Sequence, residues 1–250
     1  MNRTLDLASS FAVSVVRAGN GMAVGTPGPR PEQLLELYEF EACPFCRKVR
    51  EALSILDLDV LVKPCPKGGT RFRPELVQRG GKPQFPYLVD PNAGVEMYES
   101  DDIVRHLFAR YGDGSVPASL SFLPLYLASN ALASLCRPLS GVRARPSRLP
   151  ARPLELWSFE ASPYCRLARE ALCTLELPYV LHNVAKGSPK RDAFVARAGK
   201  MQVPYLFDPN TGREMFESAD IVAYLDATYA LPASSAVPAA SVAGADRMRA

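Results

Sequence analysis

Two cysteines of this 250-residue chain, Cys43 and Cys46, stand at the spacing C-x-x-C. A short apolar run of strand type precedes Cys43 and a stretch of helical periodicity follows it, which places Cys43 at the start of a helix. Unpaired backbone N–H groups and the helix dipole favour a thiolate there. We therefore expect Cys43 to be a nucleophile, and Cys46, one turn further on, to attack a mixed disulfide and release its partner. The alternative is two buried cysteines in a core helix, against which Phe45, Arg47 and Lys48 indicate an exposed rim.

Other kinds of site are disfavoured by the composition. A structural zinc site needs a second pair of ligands, which His106 and His182, the two histidines of the chain, do not supply, so we expect no metal. The six cysteines are too few and too unevenly placed for the disulfide framework of a secreted domain, which indicates a reducing compartment. A net charge of +3 gives no reason to expect nucleic acid as the partner.

The chain repeats itself. LELYEFEACPFC at 35–46 recurs as LELWSFEASPYC at 154–165, an offset of 119, and 20 of the 32 residues at 80–111 are identical to those at 198–229. Upstream, LDLASS near the N-terminus faces LYLASN near the middle of the chain. The predicted organisation is a lead-in helix and linker at 1–33, a domain at 34–112, an apolar helix and basic proline-rich linker at 113–152, a second domain at 153–230, and a flexible tail at 231–250.

Each domain alternates strand and helix patterns in the order β-α-β-α-β-β-α. In the first domain, the turn DPNAG separates two strands of a hairpin, and Ser100, followed by Asp101 and Asp102, marks the start of a helix. The order predicts an α/β fold in which each domain is a four-stranded mixed sheet with flanking helices.

Three other segments could carry an address or bind a partner. Residues 1–30 are poor in acids, as transit peptides are, but their recurrence in mid-chain indicates a part of the fold. The charge-free stretch between Asp113 and Arg137 contains prolines and serines, which favour an amphipathic helix packed on a domain over membrane contact. From Arg137 to Arg152, five arginines without an acid indicate an exposed linker, with contact to an anionic surface as the alternative.

Three motifs together resemble the glutaredoxins and the glutathione transferase N-terminal domain: CPFC at 43–46, Phe85-Pro86 before a strand, and Glu99-Ser100 leading into a helix. The resemblance covers both repeats and implies two tandem thioredoxin-like domains with glutathione as co-substrate. It implies that Pro86 follows a cis peptide bond and that the backbone of Phe85 binds the cysteinyl part of glutathione. Glu99 and Ser100 would hold the γ-glutamyl end. These four residues are called the binding frame below.

The second copy has serine, Ser162, where the first has its nucleophile. Serine cannot form a mixed disulfide, but its hydroxyl could hydrogen-bond the thiolate of a bound glutathione, as in serine-type transferases. The resemblance also implies a second binding frame for glutathione, made of Val203, Pro204, Glu217 and Ser218. Whether this copy binds glutathione or only stabilises the first stays open at this point.

Two further features of the first copy affect its chemistry. Glutaredoxins commonly have a lysine shortly before the nucleophile, whereas this chain has Glu39 and Glu41, whose charges are expected to oppose thiolate formation. Cys65 ends its strand at the edge where Cys43 lies, so it is either a third thiol within reach or a half-buried structural cysteine. Its counterpart in the second copy is Val184.

The leading hypothesis is a glutathione-dependent thiol–disulfide oxidoreductase that acts on thiol or disulfide substrates. One alternative is a glutathione transferase, which is disfavoured because neither copy is followed by the all-helical domain of those enzymes. The other is a non-enzymatic glutathione-binding or assembly module. The tandem arrangement is similar to a group of plant and algal proteins, which implies a plastid location, with the cytoplasm as the alternative.

Overall fold

The structure is a computed structural model that describes residues 3–16, 19–121 and 141–232. Most of the predicted apolar helix at 113–137 and all of the tail from 233 onward lie outside these ranges. The lead-in forms α1 (Arg3–Val16). The first copy consists of β1 (Leu35–Glu39), α2 (Pro44–Ile55), β2 (Val60–Pro64), α3 (Phe72–Gly80), β3 (Tyr87–Asp90), β4 (Val95–Met97) and α4 (Ser100–Tyr111), and is followed by the short α5 (Ala118–Ser121).

The second copy repeats this order. It consists of β5 (Leu154–Ser158), α6 (Pro163–Thr174), β6 (Tyr179–Asn183), α7 (Arg191–Ala198), β7 (Tyr205–Asp208), β8 (Arg213–Phe216) and α8 (Ser218–Tyr229). Within the described ranges, no helix is both long and apolar enough to cross a membrane.

The two predicted four-stranded mixed sheets are confirmed, and they join edge to edge. In each copy the first strand pairs parallel with the second and antiparallel with the third, which pairs with the fourth. The second strands, β2 and β6, then pair antiparallel, so that one eight-stranded sheet runs in the order β4-β3-β1-β2-β6-β5-β7-β8. Leu61 lies opposite Val180, its own counterpart at offset 119, which places a pseudo-two-fold axis between them.

The apolar core is continuous through both copies. One cluster joins residues of β1, β2, α2 and α4 to residues of β5, β6, α6 and α8, with Leu61's neighbours Val60 and Val62 fully buried. Because side chains alternate along a strand, Tyr38 points to the other face of the sheet. There it belongs to a smaller cluster with Cys65, Phe72 and Leu76 beneath α3.

The lead-in segments cross between the copies. Helix α1 packs on α6 of the second copy, and Ala23, shortly after it, bridges Lys186 of that copy. The linker before the second copy makes the equivalent bridge with the first, from Arg143 to Lys67. Lys67 and Lys186 are counterparts at offset 119, so the exchange obeys the same pseudo-symmetry.

The arginines in the described part of the basic linker, residues 141–152, are exposed, but the linker is also held by the domains. Arg145 forms an ion pair with Asp226 at 2.9 Å, and Arg148 donates to the carbonyl of Thr228 at 2.6 Å. These contacts occupy arginines that could otherwise bind an anionic surface. The linker interpretation is therefore the one that the described residues favour.

Buried charges lie where the two copies meet. Arg50 of α2 and its counterpart Arg169 of α6 each contact the carboxylates of Glu41 and Glu160, which are also counterparts, at distances of 2.9–3.3 Å. A third carboxylate, Glu39, contacts Arg50. All five side chains are at most 3% exposed, so each charge depends on its partners rather than on water. These five residues are called the interface cluster below.

Candidate active site

The CPFC motif forms the first turn of α2. Cys43 is the N-cap with φ −70° and ψ 122°, and its Sγ accepts the backbone N–H of Cys46 at 3.3 Å. Pro44 occupies the first helical position, where its missing N–H leaves no bond unmade. The sulfur of Cys43 therefore lies at the positive end of the helix, where a thiolate is favoured.

The two thiols of the motif differ sharply in acidity. The pKa of Cys43 is lowered, chiefly because the Cys46 thiol donates a hydrogen bond to it, and also because the backbone N–H groups of Cys46 and Phe45 do so; burial and Glu39 oppose this. The pKa of Cys46 is raised well above its usual range, first by burial and then by its hydrogen bond to Cys43. Of the two thiols, Cys43 is therefore the one that ionises more readily.

The expected rim is only partly exposed. Phe45 exposes 47% of its surface, but Arg47 and Lys48 are buried, contrary to the sequence-based interpretation. Lys48 forms an ion pair with Asp101 in the first turn of α4, which explains its burial. This contact fixes the start of α4 beside α2.

The binding frame of the first copy lies at the same edge of the sheet as Cys43. The Phe85–Pro86 peptide bond is cis, as expected, and the Phe85 ring packs edge-on against that of Phe40, with centroids 5.8 Å apart. Glu99, before α4, has φ +64°, a conformation that residues other than glycine rarely adopt. Its carboxylate accepts a hydrogen bond from Gln84 at 2.5 Å, which connects the two parts of the frame.

Sequence reasoning missed Arg73, on α3. Its Nε donates to the carbonyls of Cys65 and Pro66 at 3.0 and 2.6 Å, and its guanidinium lies 4.6 Å from the centroid of the Phe85 ring. A cation therefore stands at the active-site edge beside the binding frame. The repeat could have indicated this residue, because Arg191 occupies the equivalent position at offset 118. Arg191 donates a hydrogen bond to the carbonyl of Val184, the counterpart of Cys65.

Cys65 is fully buried in the cluster beneath α3. Its Sγ contacts the carbonyl of Lys63 at 3.4 Å, and burial raises its pKa well above the usual range. Helix α2, which begins directly after Cys43, packs on the opposite face of the sheet. Of the two alternatives for Cys65, these surroundings favour the structural one.

The second copy reproduces the frame without the nucleophile. Ser162 is the N-cap of α6, and its hydroxyl accepts the N–H of Cys165 at 3.2 Å. The Val203–Pro204 bond is cis, as expected. Glu217, with φ +66°, accepts a hydrogen bond from Gln202, as Glu99 does from Gln84. Ser218 begins α8, as Ser100 begins α4.

Helix α1 covers the start of α6 in this second site. Ser10 donates to the carbonyl of Pro163 at 2.8 Å, and Ser14 donates to that of Ala161 at 2.7 Å. Phe11 packs edge-on against Tyr164, with ring centroids 5.8 Å apart. The lead-in thus forms one wall of the second site.

The described residues contain no group of three or more histidine, cysteine, aspartate or glutamate side chains that could hold a metal ion. The fold and the site together define a tandem thioredoxin-like protein, with a dithiol motif in its first copy and a serine in its second. The chain belongs to the glutathione S-transferase N-terminal domain family, which matches it twice, over residues 37–115 and 156–233.

Similar solved structures are glutathione transferases. One, from Bombyx mori, is 27% identical over 34% of this chain and 39% of its own, with a TM-score of 0.31. A trimeric glutathione transferase from Leishmania is 16% identical over 77% of this chain and 68% of its own, with a TM-score of 0.28. This chain therefore spans well under half of the Bombyx mori protein. A comparison with curated proteins gives no match.

Proposed function

We propose that the protein is a glutathione-dependent thiol–disulfide oxidoreductase that acts through Cys43. The observation that carries the proposal is the asymmetry of the two thiols, with the pKa of Cys43 lowered and that of Cys46 raised. A nucleophile and a protonated second thiol, one helical turn apart, are what a dithiol exchange reaction needs.

The reaction begins with the Cys43 thiolate. It attacks the glutathione sulfur of a mixed disulfide, and the substrate leaves as its thiolate while a Cys43–glutathione disulfide forms. A second glutathione thiolate then attacks this disulfide, which releases oxidised glutathione and restores the Cys43 thiolate. The backbone of Phe85 would pair with the cysteinyl part of glutathione, and Glu99 and Ser100 would hold its γ-glutamyl end.

The two cysteines should be separable by mutation. Cys43→Ser should abolish deglutathionylation of a glutathionylated peptide, because no thiolate remains at the helix start. Cys46→Ser should retain that activity and lose dithiol reduction of a protein disulfide. Release of glutathione and reduction of the disulfide are measured side by side.

The matched control is Cys165→Ser, which changes the counterpart of Cys46 in the copy without a nucleophile. It should leave both activities near those of the natural chain. Equal losses from Cys43→Ser and Cys46→Ser would contradict the proposed division of roles.

A second candidate function is glutathione transfer at Ser162. The repeated frame and the position of the hydroxyl at the N-cap of α6 favour it. Conjugation of a standard electrophile that survives Cys43→Ser and is lost in Ser162→Ala would support it. Glutathione binding without either activity would instead support the non-enzymatic module.

A further inference from the structure

The two ends of the proposed glutathione site are carried by different helices. Cys43, which would bind the cysteinyl sulfur, is the N-cap of α2. Ser100, assigned to the γ-glutamyl end, is the first residue of α4. The distance between the two ends therefore depends on how α2 and α4 are held against each other.

The ion pair between Lys48 and Asp101 joins these two helices at the site. Lys48 lies on α2, which begins directly after Cys43, and Asp101 directly follows Ser100 at the start of α4. The side chain of Lys48 is 2% exposed, whereas that of Asp101 is 52% exposed. A ligand therefore has almost no access to Lys48, and an effect of Lys48 on a ligand must pass through Asp101.

The turn before α4 is held from two sides. Glu99 has φ +64°, a conformation that costs free energy in residues other than glycine and persists only where the surroundings impose it. Gln84, directly before Phe85, donates to the Glu99 carboxylate at 2.5 Å. On the other side of the turn, Lys48 holds Asp101. These two contacts connect the turn to the rest of the binding frame and to α2.

The second copy has the same turn without the ion pair. Glu217 has φ +66° and accepts the equivalent hydrogen bond from the cis-proline loop. Leu167 and Ala219 occupy the positions of Lys48 and Asp101. The ion pair is therefore present in the copy with the nucleophile, and both of its members are absent from the copy with serine.

A contribution to folding does not explain this difference between the copies. A buried ammonium group gives up its hydration, and replacing a buried ion pair by apolar side chains is often neutral or stabilising. Leu167 shows that this part of the fold accommodates an apolar side chain. The pair is better explained by a role in the site that it adjoins.

We propose that Lys48 and Asp101 are positioning residues, which hold the γ-glutamyl end of the glutathione site at a fixed distance from Cys43. This inference rests on the proposed function. Neither residue takes part in the thiol exchange itself. The ion pair acts on the affinity for the γ-glutamyl group, and it thereby gives Cys43 a preference for mixed disulfides that contain this group.

The test compares two mixed disulfides of the same peptide. One peptide carries glutathione on its cysteine, and the other carries cysteinylglycine, which is glutathione without the γ-glutamyl group. In both, the Cys43 thiolate attacks the sulfur of the small thiol, and the peptide leaves as its thiolate. Release of the peptide thiol by the full-length protein, with glutathione as reductant, gives kcat/KM for each peptide. The natural chain should prefer the glutathionylated peptide.

Lys48→Leu and Asp101→Ala should each lower kcat/KM for the glutathionylated peptide by about tenfold, because the γ-glutamyl end is no longer held at its distance from the thiolate. Neither variant should change kcat/KM for the cysteinylglycine peptide, which a distorted domain would also lower. The double variant, with the residues of the second copy, should lose no more than either single variant, because both residues act through one contact. It also covers a folding failure of a single variant, since it removes both charges at once.

Asp102 provides the matched control. It is the next acid in the same helical turn, is 55% exposed and pairs with Arg105 of its own helix. Its counterpart in the second copy, Asp220, is also an aspartate. Asp102→Ala removes the same charge from the start of α4 and should change both rates by less than about twofold.

Several outcomes would overturn the inference and leave the proposed function intact. An equal loss in Asp102→Ala would assign the effect to the charge at the helix start. A loss in only one of the single variants would mean that Lys48 and Asp101 do not act as a pair. Equal losses on the two peptides would leave the pair a purely structural role, and no loss on either would leave it none. If the natural chain releases thiol from neither peptide, the proposed function fails and the inference fails with it.

Discussion

At the edge of the sheet where Cys43 lies, the guanidinium of Arg73 is 4.6 Å from the centroid of the Phe85 ring. Its Nε is held by two backbone carbonyls, which fixes the charge in place. Glutathione has a second carboxylate on its glycine, at the end opposite to the one assigned to Glu99 and Ser100. A fixed arginine beside the binding frame suits such a carboxylate.

Arg73→Met should therefore raise the KM for glutathione by about tenfold, the cost of one charge-assisted hydrogen bond. Methionine keeps much of the apolar stem that packs on the Phe85 ring, so the loss reports on the charge. Steady-state deglutathionylation measures the effect. Arg191→Met in the second copy is the matched control and should leave this KM unchanged, and a similar rise in both variants would count against a role for Arg73 in binding.

The contacts of Glu39 and Glu41 show what the sequence could and could not predict about single residues. Glu39 and Glu41 were both expected to oppose the Cys43 thiolate. The opposition from Glu39 is present, but the hydrogen bonds at the helix start outweigh it. Glu41 is instead paired with Arg169, 128 residues away, a contact that no local pattern could indicate.

At the scale of elements, local patterns predicted the strands and helices well, because each follows from periodicity, caps and turns. Helix α4, for example, begins at Ser100, as that serine and the two aspartates after it predicted. The partner of an element was harder to predict. An apolar edge strand such as β2 can pair with any other, and α1 could equally have packed on the copy that follows it directly. The plastid location stays a prediction.

Substitution of Ser10 tests how much the contact of α1 with the second copy contributes to the free energy of unfolding. It is buried, donates to the carbonyl of Pro163, and accepts a hydrogen bond from Arg166 at 3.0 Å. Ser10→Ala should lower the free energy of unfolding by about 1–3 kcal/mol, because the buried guanidinium of Arg166 loses an acceptor. Urea denaturation measures this.

Val15, on the same helix, is 76% exposed and provides the control for Ser10. Val15→Ala should change stability by less than about 0.5 kcal/mol. Equal effects of the two substitutions would mean that α1 is not held by its polar contacts.

At the scale of the whole molecule, the interface cluster couples the stability of both copies to pH, with two carboxylates acting in opposite directions. The pKa of Glu39 is raised from 4.5 to about 7 in the folded protein. Its protonation therefore contributes fully to the free energy of unfolding below about pH 4.5, and this contribution is lost as the pH rises through 7. The pKa of Glu160 is lowered to about 2 against burial, because Arg169 and Arg50 stabilise its charge. Its contribution is present above about 4.5 and is lost as pH falls towards 2.

Each carboxylate can then serve as the control for the other. As the pH rises from about 4.5 to 7, the free energy of unfolding of the natural chain should fall by up to about 3 kcal/mol relative to that of Glu39→Gln. Relative to Glu160→Gln it should lose stability only at acid pH, below about 4.5. Free energies of unfolding in urea at a series of pH values give both curves, and parallel curves for the two variants would contradict the opposite directions of the two pKa shifts.

The exchange of lead-in segments also bears on how the chain is made. Ser10 leaves the ribosome 153 residues before Pro163, to which it bonds. At about 5–20 residues per second, that separation is roughly 8–30 seconds of translation. During this interval α1 has no helix to pack on. The backbone edge of β2 in the completed first copy also has no partner strand, because β6 has not yet been made. The nascent chain is therefore most exposed to aggregation between the synthesis of its two halves, and a chaperone that holds it there would have to release it when β6 emerges.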